Sequence, residues 1–380
     1  MNGNCESGAL RVCMTGGWFS SDNVGDNAIL EGIRDCFPAS TEFTVFSSAP
    51  DRVQGKYGIA SFAPKKNPLA LLRALRRADA LVFTGGTPFY DDRPHSAYFA
   101  ALAATARLHR VPIAVFGIAM RTLSDPFCAK LTRFICNSAT FCAAREERSL
   151  DLMTKLCAPK GHPRLLPDPA IMMRPIGVDQ AETELAALGL EPHAKRVAVC
   201  LRDFTSPAQF QAAHYSARYT PGQVANLLDS VAGLCSSLVK EQDTQVVFLP
   251  MNTQAPDDDR VPARTVRERI GEDAVRKRLF IADKQYGPRE MKGLLGRMDA
   301  VLGLRFHSVV LSSSMNVPTY AIAYAPKNEA IMRYFGAGEH VQQIENLDAE
   351  KLARDFSELI SHGSTVRNAL RERKIGRAHV

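Results

Sequence analysis

Short apolar runs alternate with longer amphipathic stretches along almost the whole chain, and this alternation limits the fold more than any other feature. The apolar runs have the length of strands and end in glycine, proline or polar residues, whereas the amphipathic stretches have helical spacing. Strands that alternate with helices form parallel sheets, because a parallel connection must cross the sheet and usually does so as a helix. The sequence therefore predicts an α/β protein.

The alternation divides into two series of strands. At 380 residues the chain is too long for one ordinary core, and the polar stretch 175–195 interrupts the strands near the middle. We predict two Rossmann-like domains, residues 1–185 and residues 186–373, that face each other across a cleft. The predicted strands are Leu10–Thr15, Glu42–Phe46, Ala80–Phe83, Ile113–Phe116 and Thr140–Ala143 in the first domain, and Arg196–Leu201, Gln245–Leu249, Leu279–Ile281, Ala300–Leu302 and Thr319–Ala323 in the second.

The net charge limits the classes of partner. It is +7, from 47 basic and 40 acidic residues. We interpret this excess as modest and scattered, which suits anionic small ligands or a weak preference for an anionic membrane surface. A nucleic-acid-binding protein would show a dense basic stripe with interleaved aromatic residues, so we expect no nucleic-acid partner.

Other sequence features predict the cellular location and the absence of a metal. The nine cysteines include no CxxC pair, and several lie in apolar runs, as reduced core cysteines do. The N-terminus lacks the basic head and apolar core of a signal peptide, and no run reaches the roughly 18 apolar residues of a membrane-spanning helix. We expect a cytoplasmic protein that can lie at the inner face of a membrane. No HExxH, paired Cys/His or DxD motif suggests a metal, so no metal site is predicted.

The last residues, Lys374–Val380, form an unusual tail. The codons AAG ATC GGA AGA GCA CAC GTC encode this peptide, and they spell a common sequencing-library adapter. We therefore predict that residues 374–380 are a non-native tail. The alternative is an ordinary basic tail, and the gene recovered from its source DNA would decide between the two.

A candidate anion site follows two neighbouring strands of the second domain. Arg305 and His307 come after the strand Ala300–Leu302, where a helix begins, and Tyr324 and Lys327 come after the next strand. Ligands of open α/β sheets bind at the carboxyl ends of the strands, and a helix start favours phosphate or carboxylate. The pattern favours a functional site over a structural histidine.

Two glycine-rich turns follow strands of the first domain. In the segment 16–30, glycines precede a helix start that carries Asn23, Gly25 and Asp26, which could bind a ligand or simply cap the helix. In the segment 83–93, Gly85 and Gly86 precede a polar cluster, and a solvated glycine turn is the stronger interpretation for that motif alone. Neither turn is a dinucleotide-binding fingerprint or a P-loop.

Weaker candidates follow other strands. Arg202 comes after the first strand of the second domain, where a phosphate or carboxylate clamp would lie. Asn252 and Asp257 lie in a polar loop after the next strand. For Arg145, at the end of a first-domain strand, surface charge or helix capping is the better interpretation.

Five motifs occur in a fixed order along most of the chain. They are NVGDNAIL at Asn23–Leu30, the Thr84, Gly85, Gly86, Phe89 and Asp92 element, Ala144–Met153, Pro167–Pro169, and the block Gly303–Lys327. In their order and spacing these motifs resemble the polysaccharide pyruvyltransferase family, and the resemblance extends from about Val12 to Phe335. One departure is Asn252, which stands where the family often has a histidine.

The resemblance implies a glycosyltransferase-B-like fold and transfer of a pyruvyl group from phosphoenolpyruvate to a sugar as a cyclic ketal. The acceptor would be a saccharide of the cell envelope or an exopolysaccharide, which can be lipid-linked, and no cofactor or metal is needed. The resemblance suggests Arg305, Lys327 and Arg202 for the donor's anionic groups and His307 as the general acid or a phosphate contact. Asp26, with Asn23, is assigned to the acceptor side or to the base, and Gly25, Gly85, Gly86 and Tyr324 complete the substrate-binding set.

Two other functions stay open. A nucleotide-sugar glycosyltransferase on the same scaffold would need a carboxylate for a ribose, and Glu329 is the suggestive one. A non-catalytic sugar-binding member is compatible with the Asn252 departure. We also expect Arg305→Ala to abolish phosphoenolpyruvate binding with little loss of stability, because an arginine in a cleft carries function more than packing.

Overall fold

A computed structural model describes residues 9–156, 162–204 and 219–378, with side chains described up to residue 373. The chain divides into two compact units. The first holds the described residues up to Ser21 and then Asp26–Met173, and the second holds Asp22–Gly25 and the described residues from Arg174 onward. Most of the loop predicted at residues 204–219 lies outside the described residues.

The first unit is built on a seven-stranded parallel sheet in the order β3-β2-β1-β4-β5-β6-β7. Its strands are β1 Arg11–Thr15, β2 Glu42–Phe46, β3 Ala60–Phe62, β4 Ala80–Phe83, β5 Ile113–Ile118, β6 Phe141–Ala144 and β7 Arg164–Leu165. The helices between them are α1 Val24–Asp35, α2 Pro50–Tyr57, α3 Pro68–Arg77, α4 Arg93–Leu108, α5 Pro126–Ser138 and α6 Glu147–Leu156, and a 3-10 turn covers Pro169–Ile171.

The second unit is built on a six-stranded parallel sheet in the order β10-β9-β8-β11-β12-β13. Its strands are β8 Lys195–Cys200, β9 Thr244–Phe248, β10 Leu279–Ile281, β11 Ala300–Gly303, β12 Thr319–Ala323 and β13 Val341–Gln343. Its helices are α7 Val178–Ala187, α8 Pro221–Gln242, α9 Arg260–Arg269, α10 Asp273–Arg276, α11 Pro288–Leu295, α12 Phe306–Ser314, α13 Pro326–Phe335, α14 Ala349–Ser361 and α15 Gly363–Ala378, with a 3-10 turn at Ile344–Asn346.

Both sheets have the doubly wound strand order, so the prediction of two Rossmann-like domains is confirmed. In this order the chain winds outward in both directions from a central pair of strands, and ligands bind beyond the carboxyl ends of that pair, at the topological switch point. The pair is β1 and β4 in the first unit, with Thr15 opposite Phe83, and β8 and β11 in the second, with Cys200 opposite Gly303.

Each unit has its own buried core. In the first unit, Phe83 packs with Phe99 at a ring-centroid distance of 5.5 Å, and a separate cluster contains Met14 and Ile29. In the second unit, helices α8 and α14 cover the sheet through side chains that include Phe356. Burying each such large side chain stabilises the fold by about 1.5–3 kcal/mol, which fixes the strand ends that carry the candidate residues.

The boundary between the units differs from the predicted one at residues 185 and 186. Helix α7 lies wholly in the second unit, which begins at Arg174. The main chain at Gly293 packs against Ile176, since a Cβ built there would be 2.4 Å from the Ile176 Cγ1 atom. Arg196 Nη1 also pairs with Glu182 of α7 at 2.7 Å. These contacts attach helix α7 to the second unit. The prediction placed most of this helix in the first domain, because the spacing of apolar residues in a helix does not show which sheet it packs against.

Within the residues that the structure describes, no helix is both long enough and apolar enough to cross a bilayer.

Candidate functional site

Arg305 lies at the switch point of the second unit, directly before helix α12, and two carboxylates hold its guanidinium. Its Nη2 donates to Asp259 Oδ1 at 2.6 Å, and its Nε donates to the same carboxylate at 3.0 Å. Its Nη1 donates to Asp257 Oδ2 at 2.8 Å. The Arg305 side chain is only 8% exposed. The predicted anion-binding arginine is therefore part of a buried ion-pair network.

Asp259 joins this network to the loop that follows β9. Its Oδ2 accepts hydrogen bonds from the backbone N–H groups of Met251 at 3.0 Å and Asn252 at 3.1 Å. Burial raises the pKa of the Asp259 carboxyl, while the Arg305 guanidinium acts against that rise. One carboxylate thus connects the loop backbone to the start of α12. Asn252, at the position where the related family often has a histidine, also contacts Asp257 through its Nδ2 at 3.4 Å.

An aromatic and cationic group of side chains, here called the Tyr324 cluster, lies beside this network. Arg202 lies over the Tyr324 ring at 4.9 Å from its centroid, and Lys327 lies over the same ring at 5.4 Å. Lys327 is also 5.3 Å from the centroid of Phe306, the first residue of α12. Arg202 Nε is 3.8 Å from Asp257 Oδ1, which links the cluster to Arg305. The cluster thus brings together cations that the sequence places more than a hundred residues apart.

A hydrogen bond and aromatic packing hold the main chain at Tyr324 in place. Its carbonyl oxygen accepts a hydrogen bond from the buried Tyr219 hydroxyl at 2.9 Å. The ring of Phe204 packs edge-on against both Tyr219 and Tyr324, at centroid distances of 5.1 and 5.8 Å. Asn328, in the first turn of α13, donates to the carbonyl oxygen of Leu304 at 3.0 Å. The starts of α12 and α13 are therefore tied to each other next to the cationic groups.

His307 packs against Gly25 in the second unit. A Cβ built on Gly25 would be 2.1 Å from His307 Nδ1, so only glycine permits this approach. Asn23 Oδ1 accepts the Gly25 N–H at 2.8 Å and caps the start of α1. Val24 N–H donates to the Met251 carbonyl oxygen at 2.9 Å. Asn23 has the helix-capping role considered from the sequence, and Gly25 makes room for the His307 ring.

The two glycine turns of the first unit lie directly against each other at its switch point. Gly16 has φ of +108°, and a Cβ there would be 2.4 Å from the Thr84 carbonyl oxygen. Gly85 has φ of +95°, and a Cβ there would be 2.4 Å from Gly17 Cα. Both turns therefore need glycine for the backbone approach as well as for the left-handed conformation. Trp18, which follows, has a side chain 73% exposed.

Asp26 and Gly86 lie next to each other in the first unit. A Cβ on Gly86 would be 3.4 Å from Asp26 Oδ1. The acidic residues after the second turn have structural roles: Asp92 Oδ1 caps α4 by accepting from His95 N–H at 2.8 Å, and Asp91 accepts from Ser124 N–H at 2.8 Å. Asp26 is thus the carboxylate beside the glycine turns in the first turn of α1.

Arg145 is not a surface charge, which corrects the interpretation made from the sequence. Its Nη1 pairs with Asp168 Oδ2 at 2.7 Å, and both side chains are almost fully buried. Asp168 also caps the 3-10 turn by accepting from Ala170 N–H at 2.9 Å. The motif Pro167–Pro169 therefore supplies the partner of a buried cation, and no pattern local to Arg145 reveals it.

The predicted site residues form two local groups. Arg202, Arg305, His307, Tyr324 and Lys327 gather in the second unit, together with Asn23 and Gly25, and Asp26, Gly85 and Gly86 gather in the first. Sequence reasoning missed Asp259 and Phe306. The three consecutive aspartates at 257–259, in a loop after a strand, were the available signal for Asp259. Within the described residues, no three His, Cys, Asp or Glu side chains form a group that could hold a metal ion.

Solved structures with a similar fold include sugar-nucleotide enzymes. A UDP-GlcNAc 2-epimerase from Neisseria meningitidis, bound to UDP-GlcNAc, has a TM-score of 0.55 and 12% identity, over 95% of this chain and 94% of that chain. The Anabaena protein HepE in complex with UDP-glucose also has a TM-score of 0.55 and 12% identity, over 96% of this chain and 95% of that one. The Escherichia coli ADP-heptose lipopolysaccharide heptosyltransferase II has a TM-score of 0.52 and 9% identity, over 93% and 99%.

At these identities the likeness shows the fold alone, and it confirms the glycosyltransferase-B-like prediction. The family comparison goes further. A model of the polysaccharide pyruvyl transferase family matches residues 23–326, a range that runs from the α1 cap to the first residue of α13 and contains nearly all of the candidate residues. The chain belongs to the polysaccharide pyruvyl transferase family and is a transferase.

Proposed function

We propose that the protein transfers the pyruvyl group of phosphoenolpyruvate to a sugar of a cell-envelope polysaccharide or exopolysaccharide, as a cyclic ketal, without a metal or organic cofactor. The opposite chemical character of the two switch points carries this proposal. The second unit presents cations beside two helix starts. The first presents glycine turns and a carboxylate.

The second unit suits an anionic donor. Phosphoenolpyruvate carries a phosphate and a carboxylate, and both are recognised by cations and by the positive ends of helices. Arg202 and Lys327 lie 4.9 and 5.4 Å from the centroid of the same Tyr324 ring, so one aromatic ring helps to position both cationic heads. Arg305, the N-cap residue of α12, makes no side-chain capping hydrogen bond to the start of that helix. We assign Arg202 and Lys327 to the donor's anionic groups.

The first unit suits a neutral acceptor. Asp26 lies in the first turn of α1, where a phosphate would otherwise be favoured, and its charge repels a second anion. A carboxylate there accepts hydrogen bonds from sugar hydroxyls and can take a proton from one of them. A Cβ built on Gly86 would contact Asp26 Oδ1 at 3.4 Å, so the glycine keeps side-chain atoms away from this carboxylate. We assign Asp26 as the base on the acceptor side.

The reaction balances with these groups. An acid delivers a proton to the methylene carbon of the enol, and the central carbon becomes an oxocarbenium-like centre beside the carboxylate. One sugar hydroxyl adds and loses its proton to the base, the carbon–oxygen bond to phosphate breaks, and a second hydroxyl closes the ketal with release of its proton. The products are the ketal and inorganic phosphate. We assign His307 as the acid, since it lies in the first turn of α12 next to Phe306, which contacts Lys327.

Arg305 has a more indirect part in this proposal. Its contacts with Asp257 and Asp259 show that it neutralises two carboxylates and holds the loop after β9. Asp257 in turn lies near Arg202. A direct bond from Arg305 to the donor stays a prediction, whereas its effect on the placement of Arg202 follows from the observed contacts.

Calorimetric titration with phosphoenolpyruvate tests the donor assignment. We expect saturable binding, with affinity about tenfold weaker or more in Arg202→Gln and Lys327→Gln, because each loses a charge-assisted contact. Lys240→Gln is the matched control, since Lys240 is an exposed lysine paired with Glu272 on another part of the second unit. Equal affinity in all three variants would contradict the assignment.

Turnover tests the reaction itself. The purified protein, phosphoenolpyruvate and a panel of oligosaccharides should release phosphate and give a new ketal methyl signal in the NMR spectrum. Asp26→Asn should lower this turnover by about 10²–10⁴-fold while phosphoenolpyruvate still binds. Titrations with UDP-GlcNAc and UDP-glucose run in parallel, because two proteins of similar fold were captured with these compounds. Binding of a nucleotide sugar without phosphoenolpyruvate would favour a glycosyltransferase instead.

A further inference from the structure

The basic excess of the chain is concentrated in one segment of the first unit, which corrects the view that it is scattered. Residues 52–78 contain no acidic residue, and their seven basic residues equal the net charge of +7 of the whole chain. The remaining sequence is therefore balanced. The seven are Arg52, Lys56, Lys65, Lys66, Arg73, Arg76 and Arg77.

Five of these cations and one leucine form an exposed surface on and just before helix α3. The α3 surface consists of Lys65, Lys66, Leu69, Arg73, Arg76 and Arg77, all exposed to solvent. Leu69 is 65% exposed. Within the described part of the chain these five cations have no ion-pair partner, whereas the exposed Arg264 of the second unit pairs with Asp283 at 3.1 Å.

The helix is built to present this surface outward. Asn67 caps it by accepting from the Ala70 N–H at 3.0 Å, and Leu75 on its inner side is fully buried. Leu69, Arg73 and Arg76 follow one another at intervals of four and three residues, so they share the outer face. The packing of α3 on the sheet thus needs none of the cations.

We propose that the α3 surface docks the protein onto an anionic lipid membrane. Clusters of four to eight lysine and arginine residues on an amphipathic helix are attracted to anionic headgroups, and each cation near the surface adds affinity. The absence of acidic residues in the segment removes the repulsion that a mixed surface would have. Leu69, in the first turn, can enter the headgroup region, which favours a lipid over a nucleic acid. This proposal does not depend on the proposed reaction.

Vesicle flotation tests the proposal with the whole protein. Wild type should float with vesicles of phosphatidylglycerol and phosphatidylethanolamine but should not float with vesicles of phosphatidylcholine alone. High salt should release the protein, because the screening length falls from about 8 Å at physiological salt to about 3 Å at 1 M. The triple variant Arg73→Gln, Arg76→Gln and Arg77→Gln should bind the anionic vesicles about 100-fold more weakly, at roughly fivefold per cation. Leu69→Ser should bind several-fold more weakly and be released at lower salt.

A second triple variant, Arg264→Gln, Arg267→Gln and Lys277→Gln, removes the same charge from the second unit. It should bind vesicles as wild type does, and circular dichroism should show that both triple variants are folded. Equal losses of vesicle affinity in the two triple variants would mean that net charge alone drives binding, and would overturn the proposal that the α3 surface docks on the membrane. The proposal would also be overturned if wild type did not bind anionic vesicles, or if duplex DNA or tRNA added as a competitor displaced it from them.

Discussion

Removing the Arg305 side chain should destabilise the second unit strongly. In Arg305→Ala the carboxylates of Asp257 and Asp259 lose the guanidinium that donates to both, at 2.8 and 2.6 Å. The Asp259 side chain is 1% exposed, so it cannot regain this stabilisation from water. Breaking a buried ion pair on one side typically costs about 3–5 kcal/mol, a large part of the stability of an ordinary domain. From the sequence alone we expected little loss, and the buried pair reverses that expectation.

Urea unfolding followed by circular dichroism measures this cost, with Arg264→Ala as the matched control. Arg264 is also paired, with Asp283, but 54% of its side chain is exposed, so its loss should change the free energy of unfolding by about 0–1 kcal/mol. The double variant Arg305→Met with Asp259→Asn removes both charges of the closest pair. It should be less destabilised than the sum of the two single variants, because no lone charge stays buried there.

The result that would refute this reasoning is an Arg305→Ala protein as stable as the Arg264→Ala control. Such a protein would show that the loop after β9 does not depend on the ion pair. Loss of phosphoenolpyruvate binding in that stable variant would then return Arg305 to the direct donor-binding role. If the double variant instead equals the sum of the singles, Asp259 and Arg305 act independently despite their contact.

Three further predictions concern single residues. Gly25→Ala should lower turnover by tenfold or more with folding retained, because its Cβ would meet the His307 ring at 2.1 Å and displace it; steady-state kinetics at saturating phosphoenolpyruvate measure the loss. Gly85→Ala should lower the free energy of unfolding by at least about 1 kcal/mol, since φ is +95° and the new Cβ would be 2.4 Å from Gly17 Cα; thermal unfolding measures the loss, and an unchanged midpoint would contradict this close approach. Burial lowers the pKa of His95 below its usual 6.5, so as the pH falls His95 becomes protonated in the unfolded chain before it does in the folded one. The free energy of unfolding should therefore fall as the pH drops below about 6.5, and urea midpoints measured across pH should fall less in His95→Gln.

The central strands could be predicted from the sequence because they are buried on both faces. The strands Ala80–Phe83 and Thr319–Ala323, which are internal to their sheets, were predicted with the bounds that the structure shows, and so was the all-apolar edge strand Leu279–Ile281. The strands Ala60–Phe62 and Arg164–Leu165 were not predicted, as each lies at a sheet edge, spans only two or three residues and includes exposed positions. Such strands form through pairing with a neighbour and leave little apolar pattern in their own sequence.

The candidate site could be located from the sequence, but its charge balance could not. Residues after parallel strands gather at one edge of a sheet, which was enough to place Arg202, Arg305 and Lys327 in one unit. The partner of Arg305 is Asp259, 46 residues earlier in the chain, and only the folded backbone brings them together. Residue type shows that a cation is present, whereas its state of neutralisation depends on contacts distant in sequence.

Trp18 follows the first glycine turn with most of its ring in water, and it is the only tryptophan in the chain. The protein therefore carries one natural fluorophore, placed at the carboxyl end of β1. Its emission should be that of a solvated indole and should be quenched readily by acrylamide. A spectroscopist can titrate unlabelled oligosaccharides and follow a blue shift from this single position, with no background from other indoles and no chemical labelling.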